Sequence, residues 1–242
     1  MAPIIPLLRT QNLTMRFGGV TAVRDVNLTL GEVELRCLIG PNGAGKSTFF
    51  KMLTGQLKPT SGTVEFRGQR ISGALPHEIA RLGIGIKTQV PNVFNGLPVR
   101  ENIWLAARRG HTTRETRQLV DEILEKIRMT ALAEELVGKL SHGQRQWVEI
   151  GTVLAGEPDL ILLDEPAAGM TDDETFRTAE IIREINQTRG LIVVEHDMQF
   201  IKMIAKTVTV FHQGAVLMED TIDNVMRDQR VRDVYLGKKV AA

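Results

Sequence analysis

Residues 40–48 read GPNGAGKST, and this stretch decides the fold. It matches the pattern G-x-x-x-x-G-K-[ST] and is entered from the apolar run ELRCLIG (34–40). It leaves into KSTFFKMLTG (46–55), which reads as a short helix stopped by Gly55. A buried strand, a glycine-rich turn and a helix start form a cradle for phosphate. Glycines let backbone N–H groups approach phosphate oxygens closely, and the helix N-terminus adds partial positive charge. Gly40, Pro41, Asn42, Gly43, Ala44, Gly45, Lys46, Ser47 and Thr48 are therefore candidate nucleotide-phosphate ligands. Lys46 is expected to reach the β- and γ-phosphates, and the Ser47 hydroxyl to ligate Mg²⁺.

Around this stretch the chain alternates between two patterns. NLTMRF (12–17), TAVRDVNLTL (21–30) and TVEFRGQRI (63–71) alternate apolar with polar residues, as half-buried strands do. From about residue 98 to 155 helical periodicity dominates. PVRENIWLAARRG (98–110) opens on Pro98 and is followed by Gly110. In TTRETRQLVDEILEKIRM (112–129), Leu119, Ile123, Leu124 and Ile127 share one face. DLILLDE (159–165), LIVVEHD (191–197) and TVTVFHQG (207–214) then read as buried strands separated by helices at 172–190 and 198–205. That order predicts an α/β core around a mostly parallel sheet covered on both faces, with a helical insert.

Two strand ends carry candidate chemistry. LILLDEP (160–166) brings Asp164 and Glu165 to the C-terminal end of a buried strand, where ligands bind in open α/β sheets. Asp164 would hold Mg²⁺, directly or through water, and Glu165 is placed to polarise an attacking water. VVEHDM (193–198) ends another strand at His196, a γ-phosphate contact beside these carboxylates. Gln89, closing GIGIKTQ (83–89), is a third candidate Mg²⁺ ligand and a nucleotide sensor.

In LSHGQRQWVEIG (140–151), Ser141 reads as an N-cap with Gln144 completing a capping box. This helix start is a second anion site. It lies across the helical insert from the phosphate loop, so a partner chain is the economical source of its phosphate. Two copies facing head to tail would each cap the other's γ-phosphate through Ser141, Gly143 and Gln144. His142 needs no glycine there if its backbone is helical, and Gly143 is the position for close approach. Protonated, His142 would also strengthen γ-phosphate binding.

Composition adds exclusions. The net charge of +1 gives no case for nucleic acid. The single cysteine, Cys37, rules out an intrachain disulfide and reads as a buried thiol, which favours a cytoplasmic setting. No run approaches the ~18 apolar residues of a membrane span, and MAPIIPLL does not read as a secretory signal. Membrane work would need another chain.

GPNGAGKST, Gln89, LSHGQ, LILLDE and His196, in this order, resemble the nucleotide-binding subunit of an ABC transporter over nearly the whole chain. The resemblance implies a P-loop NTPase (RecA-like) core, about residues 1–90 and 156–242, with an antiparallel β subdomain and an α-helical subdomain at about 91–155. It implies ATP and Mg²⁺ as cofactors, with Lys46, Glu165 and His196 catalytic. It places Phe17 where an aromatic stacks on adenine; the alternative is a core phenylalanine. Ala168, Gly169 and Met170 fall in a loop that touches the opposite subunit, itself a copy of this chain or a paralogue. Gln89 to Asn95 would line a groove for transmembrane permease subunits. The location implied is peripheral, at the cytoplasmic face of the inner membrane. MRFGGVTAV, CLIGPNGAGKSTFF, DEPAAGM and VYLG resemble the branched-chain amino acid, amide and urea group, which also implies a substrate-binding protein. LSHGQRQWVEIG is most similar to the urea-type subunit. The rival expectations are a branched-chain amino acid importer, a soluble ABC ATPase outside transport, and a regulatory subunit without turnover.

Overall fold

The computed structural model describes residues 5–88 and 92–235. β1 (Leu8–Phe17) and β2 (Val20–Leu30) pair antiparallel, from Leu8 opposite Leu30 to Phe17 opposite Val20. β3 (Leu35–Ile39) enters a second sheet, and β4 (Ser61–Phe66) and β5 (Gln69–Arg70) return to the first. The first sheet runs β2-β1-β4-β5. The second adds β6 (Ile84–Lys87), β7 (Leu160–Asp164), β8 (Gly190–Val194), β9 (Thr207–His212) and β10 (Ala215–Thr221), in the order β10-β9-β3-β8-β7-β6. Its neighbours are parallel except β10, which lies antiparallel on β9.

The parallel strands bury both faces, and their residues alternate between two cores. Leu38, Leu160, Leu162, Ile192 and Val194 face one core. This core is shared with α1 (Lys46–Leu53) and the inner side of the antiparallel sheet. Phe49 of α1 meets Phe211 of β9 there, with ring centroids 5.3 Å apart. Cys37, Ile39, Ile161, Leu163, Leu191 and Val193 face the other core. Burial, then nearby Glu195, pushes the Cys37 thiol pKa up, as expected of an inert buried cysteine.

After α2 (Pro76–Arg81) and β6 come α3 (Val99–Ala107), α4 (Thr113–Lys126) and α5 (His142–Leu154). The Thr112 side chain caps α4 in a reciprocal box with Glu115. Val120, Ile123, Leu124 and Ile127 are buried, while Leu119 lies half-buried at the edge of that stripe. These helices join the same apolar cluster as one face of the parallel sheet. α6 (Asp172–Ile185) and α7 (Met198–Ile204) connect the later strands, and α8 (Ile222–Arg227) and α9 (Gln229–Tyr235) follow β10. The sequence reading left out α2, β10, α8 and α9. The three helices span only six or seven residues each, too short for a periodicity to stand out.

An ion pair lies where the helical insert meets the sheet. Lys87 Nζ, at the end of β6, is 3.7 Å from Glu149 Oε2 of α5, with side chains 1% and 5% exposed. The other Glu149 oxygen accepts from the Asn92 backbone N–H at 2.7 Å. Desolvation lowers the Lys87 pKa and raises that of Glu149. Lys87→Met leaves a buried carboxylate without its cation and is expected to cost about 3–5 kcal/mol in urea unfolding. Lys87→Met combined with Glu149→Leu is expected to recover most of that loss.

Candidate active site

The phosphate loop is fastened on one side and open on the other. Gly40 has φ +145°, and a Cβ there would lie 2.2 Å from the Phe211 carbonyl of β9. Gly45, the N-cap of α1, has φ +103°, and its Cβ would lie 2.5 Å from the Ala22 carbonyl of β2. The Ala44 carbonyl accepts from Gly214 N–H at 3.0 Å. Gly43, by contrast, has φ +78° and open space within 4 Å of a built Cβ. α1 has neither a side-chain cap nor an acidic residue in its first turn, so its N-terminal N–H groups have no competing carboxylate. Lys46 Nζ donates to the carbonyls of Gly40 at 2.6 Å and Pro41 at 3.2 Å. Desolvation lowers its pKa, and Glu165 and Asp164 oppose that shift. Phe17 is 47% exposed, so it is not a core phenylalanine. It pairs with Val20, two residues before the Ala22 that meets Gly45.

The strand ends hold the other groups. Asp164 closes β7, and its Oδ1 is buried with no hydrogen-bond partner among the described residues. Burial, then Glu165, raises its pKa. Glu165 takes a left-handed φ of +47°, and its N–H donates to Val194 O at 2.9 Å. A non-glycine residue held there costs of order 1–3 kcal/mol, and such strain clusters at functional sites. His196 Nδ1 lies 3.4 Å from Glu165 Oε1. A cleft of about 570 Å³ opens beside His196, lined by Ala167, Ala168, Gly169 and Met170. Gln89 lies outside the described residues.

The start of α5 carries the expected capping box. Ser141 Oγ accepts from Gln144 N–H at 3.2 Å, and Gln144 Oε1 accepts from Ser141 N–H at 3.0 Å. The Ser141 hydroxyl also donates to Glu174 Oε1 at 2.7 Å. A Cβ on Gly143 would lie 2.5–2.9 Å from that carboxylate. Glu174 caps α6 as well, accepting from Thr171 N–H at 3.0 Å. Hydrogen bonds from Thr171 and Ser141 lower its pKa. His142 begins α5. Its ring turns away from the helix start, with Nε2 3.0 Å from Ala168 O and 3.2 Å from Gln146 Nε2. Glu174 escaped the sequence reading, although Thr171-x-x-Glu174 is itself a capping-box pattern. Glu195 and Lys87 escaped it too: Lys87 is a single charge ending an apolar strand run, and Glu195 stands directly before His196, which drew the reading instead.

β3 with the phosphate loop, β7 with its carboxylates and α5 are thus part of one molecule, and the comparisons agree with its architecture. The family model described as "ABC transporter" matches residues 23–168. The chain belongs to the ABC transporter family. It is an ATPase of that family with the ATP-binding cassette fold. It is 34% identical to the high-affinity branched-chain amino acid transport ATP-binding protein BraF of Pseudomonas aeruginosa, over 96% of this chain and 98% of BraF. The ADP conformation of an ATP-binding cassette of an ABC transporter superposes with TM-score 0.86 at 28% identity, over 96% of this chain and 99% of that one. A dimeric post-hydrolysis cassette bound to ADP and phosphate superposes with TM-score 0.77 at 25% identity, over 89% of this chain and 98% of that one. Among the described residues no helix of this cassette is long and apolar enough to cross a membrane.

The loop's two sides separate in a stability test. Gly43→Ala is expected to cost about 1–2 kcal/mol, from its left-handed backbone alone. Gly45→Ala is expected to cost distinctly more, because the Ala22 carbonyl must also move. Urea unfolding of the two variants without nucleotide checks the order.

Proposed function

We propose that this chain hydrolyses ATP as one of a head-to-tail pair of cassettes and thereby drives a membrane importer of a small nitrogenous solute. The observation that carries the hydrolytic reading is the 3.4 Å approach of His196 Nδ1 to Glu165 Oε1, beside an Asp164 oxygen that has no hydrogen-bond partner among the described residues. Residues 40–48 bind the phosphates, with Lys46 releasing the loop carbonyls to meet the β- and γ-phosphates. Phe17 stacks on the adenine. Ser47, Asp164 and Gln89 would hold Mg²⁺, and the buried Asp164 Oδ1, without a hydrogen-bond partner among the described residues, fits that role. Bound there, the ion would neutralise phosphate charge. Glu165 orients and polarises the attacking water, and His196 steadies the γ-phosphate. Catalysis is then mostly positioning and charge stabilisation.

Pairing completes the site. Ser141, Gly143 and Gln144 reach a partner's γ-phosphate, and Ser141 gives up Glu174 as it does so. The Ala168–Met170 loop faces the partner. The dimeric cassette bound to ADP and phosphate supports this arrangement. The partner is a second copy or a paralogue. Permease subunits supply the membrane spans and dock near residues 92–95, where Phe94 is 62% exposed. That puts the chain at the cytoplasmic face of the membrane, fed by a substrate-binding protein. The similarity to BraF favours branched-chain amino acids as the solute. The LSHGQRQWVEIG stretch favours the second reading, urea or a short amide.

Glu165→Gln is expected to slow ATP hydrolysis by at least about 100-fold, the loss of a general base, and to accumulate ATP-bound dimers in size-exclusion chromatography. Hydrolysis at the parent rate overturns the assignment. In the native host, deletion of the chain is expected to abolish uptake of labelled leucine or labelled urea, restored by the parent and not by Glu165→Gln. Whichever label is lost names the solute, and retention of both overturns both solute assignments.

A further inference from the structure

Glu195 stands between β8 and His196, is 1% exposed, and has no part in the roles above. Its carboxylate accepts three backbone N–H groups. Oε2 takes those of His196 at 3.0 Å and Asp197 at 3.4 Å. Oε1 takes that of Ala167 at 3.2 Å. Its own N–H donates to Leu38 O of β3 at 3.3 Å, which anchors the residue to the sheet. One buried carboxylate therefore joins two loops that leave neighbouring strands. The loop after β7 carries Glu165, two residues before Ala167. The loop after β8 carries His196.

The His196 side chain is 63% exposed, so packing does little to place it. Its ring Nδ1 lies 3.4 Å from Glu165 Oε1 and 3.9 Å from Glu195 Oε2, and its backbone is held by Glu195. Burial disfavours the Glu195 charge and raises its pKa, while the three N–H bonds and His196 act against that rise. Such charge-assisted bonds are about twice as strong as neutral ones. A glutamine has the same length but only one acceptor oxygen. Its NH₂ group would face an N–H donor, so one of the two loops would be released.

We propose that Glu195 is a positioning residue for hydrolysis: through its backbone clamp it sets where the His196 imidazole lies relative to the loop that carries Glu165. This rests on the role given to His196 above. A displacement of about 1 Å in such a group is enough to lower a rate by up to about 100-fold.

The test is a mutant cycle in steady-state ATP hydrolysis by the full chain: parent, Glu195→Gln, His196→Ala and the double variant. Glu195→Gln is expected to lower kcat about tenfold and leave KM for ATP within about twofold, because the phosphate loop is untouched. In the His196→Ala background it is expected to add no further loss, since the residue it positions is gone. An unchanged kcat for Glu195→Gln, the same loss in both backgrounds, or a parallel rise in KM overturns the inference while leaving the hydrolytic reading standing. Parent-like hydrolysis by His196→Ala overturns the role of His196, and this inference with it. If Glu195→Gln does not fold, Glu195→Asp takes its place in the same cycle. It keeps the charge but is one methylene too short to span both loops, and the same kcat loss is expected.

Discussion

Burial of both faces of the parallel sheet is the constraint from which the rest follows. Its strands send alternate residues into two separate cores, so neither face is free for chemistry. Their backbone groups are committed to neighbouring strands. Only the C-terminal edge is left, and there β7 ends in Asp164 and Glu165 and β8 leads into Glu195 and His196. β3 reaches the same edge and turns into the phosphate loop. The close approaches of Gly40 to Phe211 and of Gly45 to Ala22 press that turn against β9 and β2. The loop is therefore shaped by the sheet and hairpin around it as well as by its own hydrogen bonds.

Charge at this edge is arranged in opposed pairs. Asp164 is pushed toward its neutral form by burial and by Glu165, while Lys87, Lys46 and Lys51 pull it back. Desolvation lowers the pKa of Lys46 and of Lys87; Glu165 and Asp164 oppose that shift at Lys46, and Glu149, then Asp164, oppose it at Lys87. Lys87 also pairs with Glu149, so the cation on the strand beside β7 is tied to α5. Burying any one of these charges without its partners would be costly. The polar edge is thus one electrostatic unit, although its members come from β6, β7, α1 and α5.

What the sequence revealed follows from range. The phosphate loop, the carboxylate strand and the capping box at Ser141 are local patterns, and each fixes its own backbone. Strong periodicity likewise exposed α4 and the buried strands. Pairings between distant segments left no such trace. Nothing in LSHGQ signals that Ser141 bonds Glu174, 33 residues away. Nothing in VVEHDM signals that Glu195 reaches the Ala167 amide, 28 residues back. Strand β10 went unseen because its residues are half-buried or exposed rather than cleanly alternating. Phe17 shows the same division: its strand was legible, but its exposure depended on what packs around the hairpin end.

His142 shows how a large side chain can sit at a helix start without disturbing its cap. An N-terminal helix position asks only that the backbone be helical and its N–H face outward. The imidazole is therefore free to bond elsewhere, and it takes the Ala168 carbonyl of its own chain. Ser141 reaches the same region through Glu174 at the start of α6. α5 is thereby joined at two points to the segment that follows Glu165. That segment is held in turn at Ala167 by Glu195. A line of hydrogen bonds therefore connects the start of α5 to the end of β8 within a single chain. That connection is built from one imidazole, one hydroxyl and two carboxylates.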